Sequence, residues 1–302
     1  MKQYHLGLDV GGTNLVAGVV DENYRILTKC SCPAGAGRSI EEITGSMAQV
    51  SREAVCLAGL KMNQIAGWGI GMPSCVNQKT NLLVHANCFG WKNIPIYKYL
   101  EPLLPLPVKI ENDANCAAYG EALAGAARGY NDLLMLTLGT GVGGGLIIDK
   151  KIYKGADGMG AELGHTKLVY NGKLCTCGQR GCLEAYCSAT ALIRHAKETT
   201  GKDMDAKMVF DGVKAGDKMC MELVEDYIAH LAAGISTFIT IFRPEMIILG
   251  GGVANAGDAL FVPLNEQLKD CTFGAAEIGI PKVIPATLGN NAGLIGAAYL
   301  FR

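Results

Sequence analysis

The sequence predicts an α/β protein built as two α/β domains flanking a cleft, and three observations carry that expectation. Strand patterns alternate with amphipathic helical patterns along the 302 residues, as they do in mixed α/β layers. One pattern also occurs twice: strand, glycine turn, returning strand and closing acid. It runs through Asp9-Val-Gly11-Gly12-Thr13 to Asp21, and again through residues 133–145 to Asp149. A repeated unit of this kind implies two domains of one plan. Finally, 49% of the residues are apolar, enough for a sizeable core in each.

Taken in order, residues 4–10 read as a strand, Gly11-Gly12 as a tight turn, and residues 15–20 as the returning strand, with a third strand near 25–29. Ile43, Met47, Val50, Ala54 and Leu57 recur every three or four residues, which predicts an amphipathic helix over 40–60. Residues 65–71 read as a buried strand. Pro73, the polar stretch 77–81 and Pro95 predict irregular structure, followed by a strand at 108–111 and an Ala-rich helix at 114–127. The second half gives strands at 133–138 and 146–148 around a glycine turn, helices near 184–198 and 221–241, and a strand at 246–249. It ends with the turn Gly250-Gly251-Gly252, a helix near 258–269, a strand around 282–284 and a last helix at 291–300. The expected domains are residues 1–112 plus 291–302, and residues 113–290. The second carries a cysteine-rich loop and apolar helices suited to dimerisation.

A net charge of −1 argues against a nucleic-acid surface, which needs a basic face. The N-terminal apolar run is short and broken by Asp9, unlike a signal peptide or membrane span. Twelve cysteines without an export signal imply a reducing cytoplasm, where thiols persist and can hold metal.

Residues 158–184 concentrate that metal chemistry. His165, Cys175, Cys177 and Cys182 offer one imidazole and three thiols, a set suited to a closed tetrahedral Zn²⁺ site. Gly178 and Gly181 can take the positive φ values that let three sulfurs converge. The alternative is a loop of reduced cysteines; a redox pair fits less well, because the close thiols are Cys-x-Cys. Glu162 and Glu184 bracket these ligands. Hard oxygen is not a donor that a filled structural zinc needs, so both carboxylates are available for another role.

Two glycine turns suit phosphate. Gly11, Gly12 and Thr13 after Asp9, and Gly139, Thr140 and Gly141, can bring backbone N–H groups and a hydroxyl close to an anion. Neither is a Walker A loop or a Rossmann fingerprint, and each alone is as well explained as a plain turn. Together, with Asp9 placed to hold the hydrated Mg²⁺ of ATP, they favour a nucleotide cleft. Gly251 and Gly252 offer a further surface for adenosine or, equally, a strand-to-helix turn. Asp113, at the end of a strand and the start of a helix, is a candidate base for a hydroxyl acceptor. Its plainer reading is a helix N-cap.

Taken together, these residues resemble the ROK family (repressor, open reading frame, kinase) within the actin/hexokinase/Hsp70-like ATPase superfamily. The likeness spans essentially the whole chain. The hairpin of Asp9, Gly11, Gly12, Thr13 and Asn14 looks like the family's first phosphate motif, residues 139–145 like the second, and residues 250–253 like the adenosine segment. The stretches 160–165 and 175–184 look like its zinc signature. The resemblance implies two actin-like (ribonuclease H-like) domains and structural zinc on His165, Cys175, Cys177 and Cys182. It further implies a sugar held by Asn87, Asn112, Asp113, Glu162, His165 and Glu184, with Asp113 taking the proton from the 6-hydroxyl. An imidazole bound to metal through one nitrogen keeps the other for hydrogen bonding.

One departure concerns the sugar. Glucokinases of the family commonly read Gly-x-Pro-Gly-x-Val-Asp, where this chain has Ser74 and Asn77, whereas Asn87-Cys-Phe-Gly90-Trp91 keeps the glucose-associated pattern. The expected activity is ATP-dependent phosphorylation of a hexose at the 6-hydroxyl. D-glucose comes first, with allose, mannose, fructose or an N-acetylhexosamine as alternatives and polyphosphate as a conceivable donor. A sugar-responsive repressor of the same family is disfavoured, since only eight residues precede Asp9, and a non-catalytic sugar binder is disfavoured by the full set of reactive groups. The expected partners are hexose and ATP, with neither nucleic acid nor membrane, in a homodimer or homotetramer.

Overall fold

In the computed structural model, which describes residues 3–35, 37–77 and 79–302, the chain opens with strands β1 (Tyr4–Val10), β2 (Asn14–Val20) and β3 (Ile26–Pro33). Helix α1 (Ile40–Leu57) follows, started by a capping box in which Ser39 accepts from the Glu42 N–H and Glu42 reaches back to the Ser39 N–H. Its Ile43, Met47 and Ala54 are buried as their spacing requires. Then come β4 (Ile65–Met72), β5 (Val76–Asn77), β6 (Leu82–Ala86), β7 (Trp91–Ile94), α2 (Ile96–Leu100), β8 (Val108–Asn112) and α3 (Asp113–Ala124). The second half runs β9 (Leu133–Leu138), β10 (Val142–Ile148), β11 (Lys151–Ile152), α4 (Glu184–Cys187), α5 (Ala189–Thr200), α6 (Ala206–Lys214) and α7 (Lys218–Phe242). It finishes with β12 (Met246–Gly250), α8 (Asp258–Cys271), α9 (Ala275–Ile278), β13 (Lys282–Pro285) and α10 (Ala292–Ala298).

The two five-stranded sheets have one plan. The first is ordered β3-β2-β1-β4-β8 and the second β11-β10-β9-β12-β13. In the first, β1 is antiparallel to β2 and parallel to β4, which is parallel to β8. In the second, β9 is parallel to β12, and β12 to β13. Ligands of such sheets gather at the carboxyl ends of the parallel strands. In register there, Asp9 lies beside Gly71, and Gly71 beside Glu111.

The chain divides into two compact units, Met1–Gly129 with Gly145–Ala161 and Asn290–Arg302, and Tyr130–Gly144 with Glu162–Gly289. Helix α3 therefore groups with the first unit, whereas the sequence reading opened the second domain at residue 113. Backbone approach explains the grouping. A Cβ on Gly120 would meet the Ala292 carbonyl, and one on Gly296 the Cys116 carbonyl, so α3 and α10 pack closely through bare glycines. Gly7 and Gly69 admit α10 to the sheet in the same way.

Other differences from the sequence reading have local causes. Irregular structure was expected between Pro73 and Pro95, but β5, β6 and β7 form a three-stranded sheet. Their 2, 5 and 4 residues are too few for alternation to show, although Leu83 and Trp91 anchor them in the core. The helix expected near 184–198 is two helices, because Ser188 leaves helical geometry and caps α5 through the Ala191 N–H at 3.0 Å. Helix α6, capped by Asp205, was not anticipated, nor were α2 and α9. Among the described residues no helix is long and apolar enough to cross a membrane.

Candidate active site

The metal loop belongs to the second unit. Its four candidate ligand atoms, from His165, Cys175, Cys177 and Cys182, all lie within 4.8 Å of one another. Gly178 and Gly181 adopt φ of 84° and 76°, and a Cβ on Gly181 would strike the Val169 carbonyl, so glycine is required where the loop turns inward. His165 ends the 3₁₀ turn Leu163–His165, and the position before it must be Gly164, since a side chain there would overlap the Val142 carbonyl. The imidazole Nδ1 lies 3.7 Å from Cys175 Sγ, and Cys177 Sγ lies 3.7 Å from Cys182 Sγ. Lys167 donates to Cys182 Sγ at 3.3 Å.

This donor set fits zinc: three sulfurs and one nitrogen, converged by backbone geometry. Nδ1 is the nitrogen that faces the sulfurs, which leaves Nε2 for a second partner. Burial, followed by Glu184, pushes the Cys175 thiol up to about 12, and a divalent cation in the cluster reverses that preference.

Glu184 is not a spare carboxylate of this loop. It is 8% exposed and joins the loop to the second glycine turn. Oε1 accepts from Thr176 Oγ1 at 2.5 Å and from Cys175 Sγ at 3.3 Å, while Oε2 accepts from the Val142 N–H at 3.1 Å. Gly141 makes room for it, since a Cβ there would collide with the carboxylate. Thr176 and the Val142 amide escaped the sequence reading, and no pattern in the chain pairs them with Glu184. Gly139 holds the turn by donating to the Gly141 carbonyl at 3.0 Å and accepting from the Ala189 N–H at 2.8 Å. Thr140 lies between these two glycines, exposed. Glu162 leads into the 3₁₀ turn, its carbonyl accepting from the His165 N–H at 3.0 Å. Gly251 has φ 82° and packs on the Leu138 backbone. Next to it, Gly252, Val253, Asn255, Lys207 and Phe210 line a cavity of about 180 Å³, one wall of which is the unanticipated α6.

The first unit holds the other candidates. The Gly11 N–H donates to the Asn14 carbonyl at 2.9 Å, and the Thr13 carbonyl accepts from the Ala34 N–H at 2.8 Å, so the first glycine turn is tied at both ends. A Cβ on Gly12 would lie 3.3 Å from the Cβ of Cys88, which brings the Asn87–Phe89 turn beside it. Asn87 begins that turn, and its carbonyl accepts from the Gly90 N–H at 3.2 Å. Burial pushes the Asp9 carboxyl up to about 6, with Lys29 opposing. At the end of β8 the capping question is settled by geometry. Asn112 Oδ1 accepts the Ala114 and Asn115 N–H groups at 2.9 and 3.1 Å, so Asn112 is the N-cap. Asp113 is the first helical residue, its Oδ1 accepting from the Ala114 N–H at 2.8 Å. Glu111, Lys154 and Cys116, which surround this turn, were missed; the one signal was a carboxylate at the next-to-last position of a buried strand.

Comparison with known proteins converges with this geometry. The ROK family model matches residues 5–302. A glucokinase of Streptomyces coelicolor is 36% identical over 98% of this chain and 97% of its own. An N-acetyl-D-glucosamine kinase of Haemophilus influenzae is 32% identical over 98% and 99%. The crystal structure of a ROK family glucokinase from Streptomyces griseus, in complex with glucose and AMPPNP, superposes with a TM-score of 0.83 at 32% identity, covering 98% of each chain. Matched by the family model over almost its whole length, the chain belongs to the ROK family.

Proposed function

We propose that this protein is a hexose kinase that transfers the γ-phosphoryl group of Mg-ATP to the 6-hydroxyl of a hexose, D-glucose first among them. The observation that carries the reading is Asp113. It stands at the carboxyl end of a parallel strand, and Asn112 has taken over the capping of the helix behind it, so its carboxylate is assigned to the acceptor hydroxyl as general base. Asn87, Asn112, Glu162, the Nε2 of His165 and Glu184 are assigned to the other hydroxyls. A polar set of this kind discriminates stereoisomers, because a wrong epimer leaves buried groups unpaired.

The triphosphate is assigned to Gly11, Gly12, Thr13 and Asn14, with Gly139, Thr140 and Gly141. Asp9 faces the magnesium that arrives with the nucleotide, and adenosine is assigned to the cavity beside Gly251 and Gly252. Zinc held by His165, Cys175, Cys177 and Cys182 supplies rigidity to the sugar loop. A homodimer or homotetramer belongs to the same proposal; Phe273 and Ile278, 85% and 70% exposed, supply apolar surface on the second unit.

A second sugar is favoured by a specific observation. The N-acetyl-D-glucosamine kinase relative aligns over 98% of this chain, and Ser74 and Asn77 depart from the usual glucokinase loop. An ADP-release assay across glucose, mannose, allose, fructose, N-acetylglucosamine and N-acetylmannosamine decides between them. Glucose is expected to give the highest kcat/KM. Turnover confined to the N-acetylated sugars moves the assignment, and no turnover with any hexose ends it.

A further inference from the structure

Glu111 is a buried carboxylate with no part in the reaction as assigned above. It is 5% exposed and stands directly before the Asn112-Asp113 turn. Its Oε1 accepts the Asn112 backbone N–H at 3.0 Å and the Asn115 side-chain amide at 3.1 Å, while its Oε2 is ion-paired with Lys154. The two Oε1 partners bracket Asp113, one residue before it and two after. Lys154 reaches Glu111 from the segment after β11, where its carbonyl accepts the Gly160 N–H at 2.8 Å. A Cβ on Gly160 would lie 2.9 Å from the Lys154 carbonyl carbon, so residues 154–160 form a tight loop that fixes where the lysine starts.

The neighbourhood explains why a cation is needed there. Asp9 and Glu111 lie in one row of the sheet, separated only by Gly71, and are roughly 9–10 Å apart at the backbone. The Cys116 thiol senses the same cluster: burial pushes it well up, then Glu111, Asp9 and Asp113 add to the rise, and Lys154 opposes them. Without Lys154, Glu111 becomes a buried carboxylate that has lost its ion-pair partner, and that cost works against its bonds to Asn112 and Asn115.

We infer that Lys154 and Glu111 are positioning residues that hold the Asn112-Asp113 turn in the orientation needed for phosphoryl transfer. The inference rests on the reading of Asp113 as the base. Glu111 holds the turn through its cap, and Lys154 holds Glu111. A displacement of about 1 Å at a reacting group can cost about a hundredfold in rate, so an ion pair behind the base has a kinetic consequence although neither residue touches substrate.

The test compares kcat and KM of wild type, Lys154→Met, Lys154→Arg and Glu111→Gln/Lys154→Met, using Mg-ATP and the hexose that turns over best, with thermal midpoints recorded alongside. Lys154→Met is expected to lower kcat by about ten- to a hundredfold while both KM values stay near wild type. Lys154→Arg restores most of the rate by re-forming the pair. The double variant exceeds Lys154→Met, because the glutamine carbonyl still accepts from Asn112 and Asn115 and no unpaired charge remains. A raised sugar KM with unchanged kcat would show Lys154 touching the sugar and overturn the inference. Failure of the arginine to restore rate, or a double variant no better than Lys154→Met, overturns it too. Asp113→Asn separates the two levels. If that variant keeps the wild-type rate, the assignment of the base falls; if it is inactive while Lys154→Met keeps full kcat, only the role of the pair falls.

Discussion

The two glycine hairpins share one frame and differ in the source of their polar groups. Asp21 closes the first hairpin twelve residues after Asp9, and Asp149 closes the second twelve residues after Thr137. Asp9 pairs in register with Gly71, and Thr137 with Gly250. Position for position, then, the first hairpin carries a carboxylate where the second carries a hydroxyl. The second imports its carboxylate instead: Glu184, 42 residues beyond Val142, accepts the Val142 N–H. The repeated frame thus differs by one strand position and one short helix, and in the second hairpin Glu184 joins the glycine turn to the cysteine loop.

The largest expected effect tests that asymmetry directly. Asp9→Asn lowers kcat/KM for Mg-ATP by about a hundredfold, ~3 kcal/mol, the scale of a lost metal-facing charge. Thr137→Val changes it by less than about threefold, as substitutions away from special features do. Steady-state kinetics at varied Mg-ATP decide. Similar losses in both variants would mean that the hairpins share their work evenly.

Next in size, the second turn can be split within itself. Gly141→Ala drives a methyl into the Glu184 carboxylate, which breaks a charge-assisted bond to Val142 and raises the sugar KM by about tenfold, ~1.4 kcal/mol. Gly139→Ala meets nothing within 4 Å. It leaves the thermal midpoint unchanged and raises the KM for ATP instead, since its methyl enters the space assigned to phosphate. If both variants raise the same KM, Glu184 does not divide the turn between sugar and nucleotide.

Metal removal probes the joint from the other side. Dialysis against a chelator is expected to raise the sugar KM several-fold and to lower the thermal midpoint, because structural metal binding is coupled to local folding. Binding of a fluorescent ATP analogue stays as it was. Chelation that abolished nucleotide binding and spared sugar binding would falsify the assignment of the loop to the sugar.

What the sequence could show follows the same division. The frame was legible because strand, glycine turn and strand are local patterns: β1, β2 and β9 begin and end within a residue or two of expectation. The metal set was legible by chemical type alone, without geometry. The joint was not, because Thr176, Val142 and Glu184 are linked only by folding. Reading Asp113 as the cap falls one residue late: Asn112 takes that role, and both are good capping residues. Glu111 lay in plain view as a charged residue in a buried strand, yet its partner Lys154 comes from the loop after β11 and carries no local signal.

The smallest effect separates the first hairpin's function from its cost. Burial raises the Asp9 carboxyl from 3.8 to about 6, so the fold disfavours the charged form to which magnesium is assigned. Below about pH 4 the carboxyl is protonated in folded and unfolded chains alike and costs nothing. Between pH 4 and 6 the unfolded chain ionises first, and stability falls as pH rises. Above pH 6 the cost stays constant, about 1–3 kcal/mol for a shift of this size in a group that keeps some contact with water. Asp9→Asn removes the charge, so its thermal midpoint should match wild type near pH 4 and exceed it by a few degrees at pH 8. The second hairpin has no counterpart: Thr137→Val shifts the midpoint equally at both pH values. An Asp9→Asn advantage that was flat with pH would place the strain in packing around Asp9 rather than in its charge, and the hairpins would then differ only in what they bind.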